Sequence, residues 1–181
     1  MPHSTTMRHT LALVAIVTCL PLVVGGQEPV KGPKPSQRGG VTQRIGDTTI
    51  TIDYSRPVAR GRELFGKLVP WGKVWCPGAD DATTIEVTTD VTMNGQALPK
   101  GKYSVWAEPN PDKWALMFNR QAAVWHTRYP AGQDALRLEI TPRTGEHMET
   151  MAFYFPVVDG KKGELVLHWG TVVVAVGVEV P

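Results

Sequence analysis

Residues 83–109 read TTIEVTTDVTMNGQALPKGKYSVWAEP. Ile85 and Val87 alternate with Thr84 and Glu86, and Val91 and Met93 repeat the spacing before the chain meets Asn94-Gly95. A period of two puts one set of side chains on a dry face and the other in water, the mark of a half-buried strand. Asn-Gly is a strong signal for a two-residue hairpin turn, because both residues tolerate positive φ. Beyond Leu98-Pro99-Lys100-Gly101, which turns the chain again, Tyr103, Val105 and Ala107 share the face of a further strand.

The same period extends in both directions. Upstream, Ile50, Ile52 and Tyr54 alternate with Thr49, Thr51 and Asp53, and order is expected to begin with this strand at Thr48. Downstream, the turn Pro109-Asn110-Pro111-Asp112 leads into Trp114–Phe118. Leu136, Leu138 and Ile140 follow, then Met151, Phe153 and Phe155, then Leu165, Leu167 and Trp169, and last the valine-rich residues 171–180. His168 falls opposite the Leu165–Trp169 face and is expected in solvent, as is His147 in a glycine-containing turn. No stretch holds helical spacing, and turn signals recur about every eight to twelve residues, so the chain is expected to be all-β, an antiparallel β-sandwich. The exception is Arg56 to Ala82, one long irregular loop. Such loops in compact domains are often functional.

The N-terminus has its own composition. Residues 1–10 carry Arg8 and no acid, Leu11 to Val24 is apolar but for Thr18 and Pro21, and Gly25-Gly26 closes the run. A basic start, a short apolar stretch and a small-residue exit make residues 1–26 an expected signal peptide. A lipid anchor through Cys19 fits less well, because the apolar run continues past it. Residues 27–40, QEPVKGPKPSQRGG, are expected to be a disordered Pro/Gly-rich tether, and residues 41–181 the sandwich domain. The expected location is exported, periplasmic or secreted, with no membrane span in the mature chain. Cleavage would remove one base and no acid from a chain of net charge +2, which argues against nucleic acid as a partner. It would also leave Cys76 alone, so no internal disulfide can form. A domain of about 155 residues buries roughly 70% of its unfolded surface and demands no cofactor to stand.

Larger motifs lie in the irregular span, SRPVARGRELFGKLVPWGKVWCPGADDATTIEV from Ser55 to Val87, and continue in VTMNGQALPKGKYSVWAEP, WALMFNR and LVLHWG. Their order and spacing of Gly, Pro and Trp resemble the bacterial exported family catalogued as domain of unknown function 2911. The likeness covers nearly all of the expected domain and implies export and a common fold. It implies no activity or catalytic residue. One departure stands out: Trp75-Cys76-Pro77-Gly78-Ala79-Asp80 occupies the place of the family's usual Trp-Arg-Thr-Gly-Ala-Asn.

Candidate site residues come from the same span. Arg56, Arg60 and Arg62 could present guanidinium forks to a carboxylate or phosphate. The favoured competing reading pairs them with Asp53, Glu63, Asp80 or Asp81 to pin the loop. Of six tryptophans most are expected in the core, with Trp71 and Trp75 the expected ligand contacts. Cys76 is a candidate reactive thiol, with His126, His147 or His168 as distant partners. No protease signature surrounds it, and Pro77 supplies no amide to lower its pKa. Asp80 with Asp81 and Glu63 falls short of a calcium loop, and the histidines lack metal-ligand spacing, so no metal site is expected. Nucleophile elbows, phosphate loops and dinucleotide fingerprints are all missing.

The reading that results is a non-enzymatic binding module of the envelope or secreted fraction, recognising a glycan, peptide or protein through Arg56, Arg62, Trp71, Trp75 and Asp80. One alternative is an unfamiliar hydrolase or isomerase using Arg62, Asp80 and a histidine. Another is a purely structural or self-association role.

Overall fold

Alternating side chains can satisfy both water and a core only if sheets pack face to face, and the computed structural model takes that form. It describes residues 34–181, together with Met1 and His3. The expected signal peptide, and the tether up to residue 33, lie outside the described residues. The strands are β1 Gln37–Ile45, β2 Thr48–Arg56, β3 Thr84–Val87, β4 Val91–Met93, β5 Gln96–Leu98, β6 Gly101–Glu108, β7 Trp114–Asn119, β8 Asp134–Ile140, β9 Arg143–Asp159 and β10 Lys162–Glu179. Six form one sheet in the order β1-β2-β3-β6-β7-β8 and four form the other in the order β5-β4-β10-β9. Every pairing is antiparallel.

The inward faces interdigitate as the sequence period requires. Ile50, Ile52, Ile85 and Phe118 from the larger sheet meet Met93, Met151, Leu165 and Val176 from the smaller in one buried cluster. Across the gap the Tyr54 ring meets Phe153 edge-on, 5.0 Å between centroids, and its hydroxyl accepts the Phe153 amide at 2.9 Å. At the β4–β5 hairpin, Asn94 and Gly95 both take positive φ, 49° and 78°, as a mirror-image two-residue turn demands. Among the described residues, no helix is long and apolar enough to cross a membrane.

Four expectations are corrected. Order begins before Thr48: β1 starts at Gln37, inside the expected tether, and pairs along all of β2. An edge strand needs backbone partners more than apolar side chains, so a polar, glycine-bearing stretch serves. The two expected final strands are one, β10, whose register against β9 shifts around Gly170. His168 is not in solvent but buried at 6% exposure. Its Nε2 donates to the Glu146 carbonyl at 2.9 Å and its Nδ1 accepts the Tyr154 hydroxyl at 3.2 Å, so one tautomer satisfies both ring nitrogens. His147, expected in a turn, stands exposed on β9.

Candidate binding groove

The long loop is irregular in outline but fastened to both sheets. Pro57, lacking an amide, ends β2, yet its carbonyl accepts the Met151 amide at 3.0 Å and the Ala59 amide donates to Glu149 at 2.8 Å, both on β9. Arg60 and Gly61 then take positive φ, 53° and 67°, and the Arg62 amide closes the turn on the Ala59 carbonyl at 3.1 Å. Leu64 and Val69 dip into the core. Farther on, Trp75 exchanges two hydrogen bonds with Ala107, 2.7 and 2.8 Å, and the Thr83 carbonyl accepts the Val105 amide. These contacts occupy the margin of β6 beyond the end of β3, so the loop continues the larger sheet and closes one end of the sandwich.

This closure assembles a lattice of five rings. Phe65 is its hub, in edge contact with Trp75, Trp114 and Trp169 at 6.0, 4.9 and 6.1 Å and stacked with Trp71 at 6.2 Å. Trp75 and Trp169 stack at 6.0 Å with planes 14° apart. Trp114 and Trp169 are buried, Trp75 is half-buried and Trp71 is 39% exposed. Gly66 makes room for the outermost ring: a Cβ there would stand 2.6 Å from Trp71 Nε1, and its φ of +93° is itself a glycine conformation.

Two adjoining clefts open over these rings. One, about 400 Å³, is lined by Arg60, Arg62, Val69, Trp75, His126 and Trp169 among others. The second, about 330 Å³, is lined by Arg62, Phe65, Trp71, His147 and Trp169 among others. Arg62 and Trp169 belong to both, so the clefts form one groove with Arg62 between its halves. A larger cleft, about 590 Å³, lies on the outer face of the six-stranded sheet near Arg38, Asp53, Lys102 and Trp125. Its guanidinium is neutralised by Asp53 at 2.6 Å and it has no layered rings, so volume alone does not recommend it.

Of the expected site residues, Arg62, Trp71 and Trp75 meet in the groove. Arg56 does not: its Nε donates to the Met151 carbonyl at 2.9 Å and its side chain lies across Gly39. Asp80 stands behind the groove, its carboxylate 3.2 Å from Lys34, while its carbonyl accepts the His126 ring and amide. Arg62, Asp80 and a histidine therefore do not converge with free functional groups. Cys76 is fully buried with Ala82, Trp106, Ala115 and Met117, its sulfur accepting the Thr83 amide at 3.3 Å. Burial pushes its thiol up to about 11, the wrong direction for a nucleophile.

The expected pairing of the loop arginines with acids is also corrected. Arg62 gives Nε to Ala59 O at 2.9 Å and Nη2 to Val58 O at 2.6 Å, and Arg60 reaches Pro35 O at 3.2 Å. Backbone carbonyls take the donors that carboxylates were expected to take. Sequence reasoning missed Trp169 as a groove residue, since its apolar strand face marks it only as core, and missed the joint placement of His126 and His147, which lie on separate elements. Among the described residues no group of three or more His, Cys, Asp and Glu could hold a metal.

A family model described as "Protein of unknown function (DUF2911)" matches residues 36–178. The chain belongs to this family. No curated protein and no solved structure matches it. The DUF2911 match covers β1 to β9, all of β10 but its last residue, and the whole of the groove-forming loop, so the groove is part of the family domain.

Proposed function

We propose that this DUF2911 protein is an exported, non-enzymatic binding module whose groove takes the faces of sugar rings in an envelope or extracellular glycan. The observation that carries this reading is the five-ring lattice around Phe65, with Trp71 and Trp75 presented at the groove. Pyranose faces are rows of weakly positive C–H groups, and the negative face of an indole attracts them. Rings already held by their neighbours lose little freedom when a ligand arrives, which favours affinity. A binding role also fits the groove's charged and ring-nitrogen groups, the guanidiniums of Arg60 and Arg62 and the imidazoles of His126 and His147, which can donate to ligand oxygens.

The test is calorimetric titration of the full chain with soluble oligosaccharides. We expect saturable binding, weakened at least tenfold by Trp71→Ala while the thermal midpoint moves by no more than about 4 °C. Binding that is absent, or indifferent to Trp71→Ala, would overturn the reading. A fall in midpoint as the only effect would favour the structural role.

A further inference from the structure

We infer that the groove's ligand is anionic, a glycan bearing carboxylate or sulfate groups, with Arg62 as the residue that receives the charge. This rests on the glycan reading above and adds the chemical class to it. Four ionisable side chains line the two clefts, Arg60, Arg62, His126 and His147, and none is acidic. Elsewhere in the domain four guanidiniums are met by carboxylates, Arg38 by Asp53, Arg44 by Asp47, Arg137 by Glu108 and Arg143 by Glu164, while Arg56 and Arg120, which line neither cleft, bond backbone carbonyls. Arg60 and Arg62 form no ion pair with any described residue; both are exposed, and their hydrogen-bond partners are neutral carbonyls.

The acids around the groove are engaged or outside it. Glu149 gives one oxygen to the Arg60 amide at 2.6 Å and the other to His147 at 2.9 Å, and Asp80 faces Lys34. Glu63 lines neither cleft.

Arg62 is more than an unpaired charge. Two of its nitrogens are tied to the turn Val58–Ala59, which fixes the guanidinium plane between the halves of the groove, while Nη1 makes no bond to any described residue. A guanidinium whose orientation is set in advance gives a charge-assisted, directional bond to an oxyanion at reduced entropic cost. Trp71 lines one cleft and Trp75 the other. A sugar stacked on either ring would carry its ring substituents toward Arg62, which lines both.

The experiment titrates the full chain with three neutral or anionic probes of matched length: a galactose oligomer, a galacturonic acid oligomer and a sulfated galactose oligomer. At least one anionic probe is expected to bind tenfold or more tightly than the neutral one, and the two anionic arms separate carboxylate from sulfate. The preference should shrink with added salt. Arg62→Gln should erase it, with an unchanged circular dichroism spectrum and a cooperative thermal transition certifying the fold. Arg60→Gln, which gives up only a bond to an exposed carbonyl, provides a second reading should Arg62→Gln unfold. Equal affinity for neutral and anionic probes overturns the anionic assignment and leaves the glycan reading standing. A preference that survives Arg62→Gln, or survives Arg60→Gln where Arg62→Gln does not fold, also overturns it. Failure of all three probes removes both proposals together.

Discussion

Cys76 shows how one residue's chemistry is set by distant parts of the chain. Its sequence neighbours do not choose between a reactive and a buried thiol; the choice is made by Trp106, Ala115 and Met117 beneath it, with Val124 and Tyr129 alongside. Desolvation raises its pKa from 9.0 to about 11, and the Thr83 amide pulls weakly the other way. Folding therefore favours the protonated thiol. Below pH 9 both folded and unfolded chains keep the proton, and this contribution is fully present. Between pH 9 and about 11 the unfolded chain ionises first, so native stability falls, by roughly 2–3 kcal/mol at most. The thermal midpoint of the wild-type chain should drop more steeply from pH 8.5 to 10.5 than that of Cys76→Ala. A thiol reagent at pH 8 should modify Cys76 only as fast as the domain opens. Parallel pH profiles, or modification within seconds, would contradict the burial described.

At the scale of elements, strands were legible where one face is dry and obscure where none is. β2, β3 and β8 alternate cleanly because every second side chain enters the core. β1 hides because Gln37, Arg38, Gly39 and Gly40 bury no apolar side chain; backbone pairing with β2 holds it. The two expected segments, Leu165 to Trp169 and residues 171–180, are one strand because Gly170, at a φ of +59°, bends the chain without ending it, and a Cβ there would meet Leu64 at 2.9 Å. The groove was half legible for the same reason. Trp71, Trp75 and Arg62 are neighbours in sequence, whereas Trp169, His126 and His147 join them only through tertiary contact.

Arg56 supplies the test at this scale. Passing over Gly39 of β1 to the Met151 carbonyl of β9, it clamps an edge of one sheet to the other. Arg56→Ala removes a charge-assisted bond and should cost about 1.5–3 kcal/mol in urea unfolding with an unchanged m-value. A loss below about 0.5 kcal/mol would mean the clamp is idle.

For the molecule as a whole, the question is whether groove and core are one structure or two. Leu64 and Val69 of the loop share a single cluster with both sheets, and Trp114 and Trp169 belong to that cluster and to the ring lattice together. Loop and sandwich cannot separate without exposing these rings, so unfolding should be one cooperative transition, with far-ultraviolet circular dichroism and tryptophan fluorescence coinciding. Exposure should divide the lattice into supporting and presented members. Trp169 is 3% exposed, and Trp169→Ala should cost about 3–5 kcal/mol through the cavity it leaves. Trp71, 39% exposed and stacked on one neighbour, should cost about 1 kcal/mol or less, in line with the pairwise worth of stacked rings. Urea titration of both variants, followed by both signals, decides the matter. Two separated transitions, or equal losses from the two substitutions, would mean that the loop rests on the sandwich as an independent layer and that its rings are not held in place by the core.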